Sequence, residues 1–184
     1  RELDAAFAER DHLLCYAVKA NSSLAILDLF ARLGSGFDIV SEGELRRVLK
    51  VGGDPQKIVF SGVGKSSDEM RAALLANILC FNVESEAELI LLNQIAKEMD
   101  KIAPVSMRVN PDVDAKTHPY ISTGLKENKF GVPFNEAEKL YFSGENLTNI
   151  RMTGLDFHIG SQLTELAPFS EACEKVLGLL DRLE

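Results

Sequence analysis

A short apolar run followed closely by a helix-starting tetrad, three times over, constrains this chain more than any other feature. Phe37-Asp38-Ile39-Val40 runs into Ser41-Glu42-Gly43-Glu44; Ile58-Val59-Phe60 is followed by Ser66-Ser67-Asp68-Glu69, and Leu79-Cys80-Phe81 by Ser85-Glu86-Ala87-Glu88. Each tetrad reads as a capping box, in which the serine accepts the N–H three residues on while the glutamate reaches back, so a helix start is written behind each strand. Leu45, Val48 and Leu49, then Met70, Ala73 and Leu74, then Leu89, Leu92, Ile95 and Met99 supply apolar stripes at helical spacing. Strands thus recur roughly every 21 to 26 residues with a helix between each pair. Alternation of this kind with short connections means a parallel sheet.

The flanks extend the pattern. Arg1 to Arg10 reads as a short amphipathic helix packed outside the sheet, with Leu3, Ala6 and Phe7 on one side. Leu13 to Val18 reads as a strand buried on both faces, closed by Lys19. Asn21, Ser22 and Ser23 offer a cap to a helix running through Leu24, Leu27 and Phe30 toward Gly34. Val105 to Val109 is a fifth strand and a sixth lies within Met152 to Ile159; helices are expected over Asn135 to Tyr141 and Phe169 to Leu183. The polar stretch from Asn110 to Pro133 is long enough to suspect function. Six β/α units fit a (β/α)8 barrel in which two units are missing, with the site at the C-terminal ends of the strands. An open doubly wound sheet is the alternative, but Lys19, Asp38 and His158 end three different strands, which favours the barrel.

Charge narrows the partners. A net charge of -8 and a pI near 5.0 argue against nucleic acid or an anionic membrane, and favour a small-molecule substrate. Cys15, Cys80 and Cys173 are odd in number and set among apolar residues, as in a reduced cytoplasmic protein. No apolar run reaches the length of a membrane span. The chain opens on Arg1 rather than methionine, as a piece of something longer would.

Several motifs fail on inspection. Gly64-Lys65-Ser66 stands where a phosphate loop would end, but the glycine needed five positions earlier is Val59. Asp112 and Asp114 resemble the start of a calcium loop, yet Thr117 and Thr123 occupy its glycine and glutamate positions. His12, His118 and His158 are too widely spaced to suggest a metal site.

What remains is a set of polar residues at strand ends. Lys19 is either a nucleophilic amine partly stripped of water or a lysine that buries its stem and keeps its head in solvent. Asp38 orients a positive charge or serves as a turn residue. Arg108 lies inside an apolar strand and requires an anionic or acceptor partner, whether a structural ion pair or a ligand. His158 precedes Ile159-Gly160-Ser161, a small-residue turn with N–H groups and a hydroxyl suited to an anion.

Tyr-Ala-Val-Lys-Ala-Asn (16–21), Phe-Asp-Ile-Val-Ser-Glu-Gly-Glu-Leu (37–45), the loop from Asn110 to Gly124, Lys-Phe-Gly (129–131) and His-Ile-Gly-Ser-Gln (158–162) resemble the diaminopimelate decarboxylase family. That family sits in the alanine-racemase-like class of pyridoxal-phosphate enzymes, and the resemblance runs from about Leu14 to the end of the chain. It implies a (β/α)8 barrel truncated here to about six units, with residues 1–184 as an incomplete pyridoxal-phosphate-binding domain. It further implies that Lys19 carries pyridoxal 5'-phosphate as an internal aldimine, that His158 stacks on its ring, that Ser161 binds its phosphate, and that Asp38 and Arg108 line the pocket. The activity implied is decarboxylation of meso-diaminopimelate to L-lysine by a cytoplasmic homodimer of the full-length protein, without a metal. Relatives acting on ornithine, arginine or a carboxylated polyamine, or a non-catalytic regulatory relative, are the alternatives. The family's glycine-rich phosphate loop, its Glu-Pro-Gly-Arg segment and its C-terminal β-domain are absent from these residues, so the 184 residues alone are expected to be inactive.

Overall fold

The computed structural model describes residues 2–113, 130–161 and 163–183. They form two compact units, residues 1–81 and 82–184. Most of the Asn110 to Gly124 motif, together with His118, Lys129 and Gln162, lies outside the described residues.

The first unit opens with α1 (Glu2–Ala6), shorter than the expected helix and without a buried residue. It continues through β1 (Cys15–Ala17), α2 (Leu24–Arg32), β2 (Gly36–Ile39), α3 (Glu42–Lys50), β3 (Ile58–Phe60) and α4 (Ser67–Ala76) to the start of β4 (Cys80–Val83). The strands pair in parallel and in chain order, Ala17 beside Asp38, Asp38 beside Val59 and Val59 beside Cys80. Alternation then separates two faces. Phe37, Ile39, Ile58, Phe60 and Phe81 are fully buried on one, each contributing about 2 kcal/mol by removal from water. Cys15, Gly36 and Asp38 share the other. A Cβ on Gly36 would lie 2.5 Å from the Lys57 carbonyl oxygen and 2.7 Å from the Cys15 Sγ, so the small residue is what admits β1 to this position.

The helix starts follow the serine tetrads, with one difference. Ser41, Ser66 and Ser85 each accept the backbone N–H three residues on. The glutamate returns to the cap residue's own N–H only at Ser66. Glu44 instead takes the N–H of Val40, and Glu88 that of Glu84, at 2.8 and 2.9 Å. The cause is the cap backbone. Ser41 and Ser85 are fully extended, with φ of -161° and -158°, whereas Ser66 has φ of -77°. Gly34, at φ +82°, ends α2 in the left-handed conformation expected there. Ser23 precedes α2 without a side-chain cap bond; its N–H is held by the Asn21 side chain.

The second unit carries the remainder of β4, then α5 (Glu86–Glu98), β5 (Ala103–Asn110), β6 (Val132–Pro133), α6 (Phe134–Glu145), β7 (Ile150–Phe157) and α7 (Ala167–Leu183). β5 pairs in parallel with both β6 and β7. The two-residue β6 escaped the sequence reading because a run of two that includes a proline carries no alternation. β7 holds a bulge. Val105 pairs with Met152 but Ser106 with Gly154, leaving Thr153 as the extra residue, its hydroxyl donating to the Val105 carbonyl at 3.0 Å. Among the described residues no helix is long and apolar enough to cross a membrane.

Candidate active site

The stretch before Lys19 differs from the strand expected there. The strand before it is three residues long rather than six, its residues are only partly buried, and Val18 to Ala20 form a 3-10 turn. Val18 is buried and anchors that turn, while Lys19 is exposed. The apolar run from Leu13 to Val18 is therefore only half strand. Its last residue turns inward, and the lysine beyond it stays in water instead of losing hydration at a strand end. Tyr16, stacked on Phe30 at 4.2 Å between ring centroids, donates its hydroxyl to the Asn21 carbonyl and closes the same turn.

Asp38 sits near the end of β2 and accepts a hydrogen bond from the Ser61 hydroxyl at 2.6 Å, just beyond β3. Its charge reaches Cys15 on the same face. Burial first, and then the negative charge of Asp38, push the Cys15 thiol up to about 11, which makes it inert at neutral pH. Nearby, Lys65 is buried and donates to the Gly62 carbonyl at 2.7 Å with its ammonium 5.7 Å from the Phe60 ring centroid.

In the second unit, Arg108 has the acidic partner that its place in β5 demands. Its guanidinium donates to Glu84 at 2.8 Å, lies 3.9 Å from Asp156 and stands 5.5 Å from the centroid of the Phe130 ring. A structural ion pair thus exists at this position. The bulge makes part of it possible. Met152 packs toward α6, its Sδ 2.9 Å from where a Gly144 Cβ would stand, and the extra residue reverses the alternation so that Asp156, beside Arg108 in the register, faces the guanidinium. Gly154 inside the strand was the available sequence signal for this bulge. Glu84 gave none, because a glutamate directly before a capping serine reads as helix-start chemistry.

His158 follows β7 and is half-buried, while Ser161 is exposed. Between them, Ile159 is 2% exposed and packs with Val113 and Ala172, with Phe157 and Leu163 against the cluster. That anchor fixes the turn. Gly160 adopts φ +143°, a conformation that side chains other than glycine rarely take. Each unit carries groups whose chemistry suits pyridoxal phosphate: in the first, an amine in solvent and a carboxylate held by a hydroxyl; in the second, an imidazole, a fixed guanidinium and a hydroxyl on a small-residue turn. Among the described residues no cluster of His, Cys, Asp and Glu offers a metal site.

Comparison with known proteins gives a consistent result. The family model for "Pyridoxal-dependent decarboxylase, pyridoxal binding domain" matches residues 1–184. A curated relative named diaminopimelate decarboxylase, from Haemophilus influenzae, is 61% identical over 181 residues, covering 98% of this chain and 44% of the relative. The crystal structure of diaminopimelate decarboxylase from Helicobacter pylori complexed with L-lysine superposes with a TM-score of 0.96 at 51% identity, covering 98% of this chain and 46% of that one. Lysine decarboxylase from Selenomonas ruminantium gives a TM-score of 0.81 at 28% identity, over 98% of this chain and 45% of that one. The chain spans less than half the length of the relatives it matches. Its fold class is α/β, parallel strands alternating with helices as in the barrels of these decarboxylases.

Proposed function

We propose, because the chain belongs to the pyridoxal-dependent decarboxylase family and matches its pyridoxal-binding domain throughout, that the full-length protein decarboxylates meso-diaminopimelate to L-lysine. The observation that carries the choice of substrate is the contrast in identity: 61% and 51% to proteins named diaminopimelate decarboxylase, against 28% to one named lysine decarboxylase. In this reading residues 1–184 are the pyridoxal-binding barrel portion of a longer cytoplasmic enzyme that works as a homodimer. The 184 residues alone should release no carbon dioxide.

Bound pyridoxal phosphate supplies an electron sink for the carbanion left when a carboxylate departs. The chain's own residues hold and orient it. Lys19 would hold the group through its amine, which its exposed turn leaves accessible. Asp38, steadied by Ser61, would supply a negative charge to the pocket. His158 would pack its ring against the cofactor, Ser161 would donate to its phosphate, and Arg108 would offer a positive charge in the same pocket. Because Arg108 is already paired, it acts as a fixed charge and does not move protons.

The test is to incubate the full-length protein separately with meso-diaminopimelate, ornithine, arginine and a carboxylated polyamine, and to follow carbon dioxide release. Turnover of diaminopimelate well above the others is expected. Preference for another amine overturns the substrate assignment, and borohydride trapping of the cofactor on a lysine other than Lys19 overturns the site.

A further inference from the structure

We propose that Glu84 is a positioning residue for Arg108, a buried carboxylate that sets where the guanidinium points and, through it, how tightly the cofactor is held. The proposal rests on the reading that Arg108 belongs to the cofactor site. The Glu84 side chain is 3% exposed and that of Arg108 11% exposed, so both charges have left water. Burial at that depth is costly unless the lone pairs and protons are satisfied, and here they are divided between separate elements. One Glu84 oxygen accepts from the Arg108 guanidinium on β5 at 2.8 Å. The other accepts from the backbone N–H of Gly131, just before β6, at 3.2 Å. The N–H of Glu84 itself donates to Glu88 in the first turn of α5 at 2.9 Å.

Gly131 is constrained to be what it is. It has φ +77°, and a Cβ there would lie 3.2 Å from the Arg108 carbonyl oxygen. The backbone of Arg108 and its side chain are therefore both held against one Glu84–Gly131 pair. Asp156 and the Phe130 ring supply two further contacts, so the guanidinium is met by three groups. Stability alone does not call for this arrangement, because apolar residues of similar volume generally replace a buried ion pair without loss. Orientation does. A guanidinium used at a ring edge must hold its plane, and a carboxylate that is itself clamped at both oxygens provides that.

The experiment uses full-length protein carrying Glu84→Gln, Arg108→Gln, or both. Two quantities are read: the dissociation constant for pyridoxal phosphate, and the rate at which phenylglyoxal labels Arg108 in cofactor-free protein, by mass spectrometry. Glu84→Gln should weaken cofactor binding about tenfold and speed labelling of Arg108 severalfold, because the charge-assisted bond is lost. The double variant should bind no more weakly than Arg108→Gln alone, since a residue acting through another has nothing left to act on. Should Glu84→Gln fail to fold, Glu84→Asp keeps the charge but falls one methylene short of spanning both partners. It should change both quantities in the same direction, to a smaller extent. Unchanged labelling of Arg108, or losses of affinity that add in the double variant, overturn the proposal. Unchanged affinity in Arg108→Gln overturns instead the reading that puts Arg108 at the cofactor.

Discussion

The two units hold their candidate residues in opposite ways. Lys19 stands on a three-residue 3-10 turn, exposed, with its anchoring done by the neighbours Val18 and Tyr16. Arg108 is embedded in an eight-residue strand and fastened by two carboxylates and an aromatic ring. A group that must form and release a covalent bond is served by freedom of the side chain on a fixed backbone. A group that presents a constant charge is served by the reverse. The first arrangement can lose its side chain with little effect on folding, whereas removing one partner of the second strands a buried charge, so substitutions should separate activity from stability differently in the two units.

Lys19→Ala should show the largest effect on turnover and the least on folding. Loss of the covalent anchor should lower turnover of the full-length protein at least about a thousandfold, while the unfolding free energy of the cofactor-free protein changes by no more than about 0.5 kcal/mol, as at other exposed positions. A variant that unfolds markedly earlier in urea would break the comparison. Arg108→Ala leaves Glu84 buried without a counter-charge and should cost about 3–5 kcal/mol in the same urea titration. Replacing both partners by Leu and Met should recover most of that loss, and failure to recover it would mean that the pair is needed for folding itself.

His158→Phe and His158→Ala sharpen the comparison at a smaller scale. An aromatic contact is worth about 0.5–1.5 kcal/mol, so the phenylalanine variant should retain most of the cofactor affinity that the alanine variant loses. Equal losses would point to the ring nitrogens. The smallest effect is expected at Ser66→Ala, where the capping box of α4 should contribute about 1 kcal/mol at neutral pH. The Glu69 carboxyl titrates below its ordinary value, held down first by the Ser66 backbone N–H and then, against a modest opposing effect of burial, by the Ser66 hydroxyl, the Glu42 N–H and the charge of Lys65. A depressed folded-state pKa means that the stabilisation is complete above the unfolded value, near pH 4.5, and fades as pH falls through the lower folded one. The gap in stability between Ser66→Ala and the parent should therefore narrow on acidification below about pH 4. A gap independent of pH would show that the hydroxyl alone does the capping.

Sequence reasoning reached what is written locally. The helix starts behind β2, β3 and β4 were legible because a serine and a glutamate three residues apart state a hydrogen-bond pattern without help from the rest of the chain. The need for a partner at Arg108 was legible too, since a guanidinium in an apolar strand cannot stand alone. The partner's identity was not, because Glu84 and Asp156 lie 24 residues back and on a different strand, joined to it only by register. The end of the strand before Lys19 was misread for a related reason. An apolar run looks the same whether its last residue ends a strand or begins a 3-10 turn, and what decides is the inward packing of Val18. The β7 bulge had one letter of signal, Gly154, and no way to say which face it would reverse.

The serine–glutamate starts also bear on the order of events during synthesis. Ser66 and Glu69 close their mutual bonds across three residues, whereas Asp38 finds Ser61 only after 23 more have been added. Closing the shorter span loses far less chain entropy, so each helix can take its first turn while the strand that will lie beside its predecessor is still unmade. A nascent chain built in this way presents the next strand with a finished edge and a helix already begun. The slow, long-range step is thereby reduced to docking one short strand at a time.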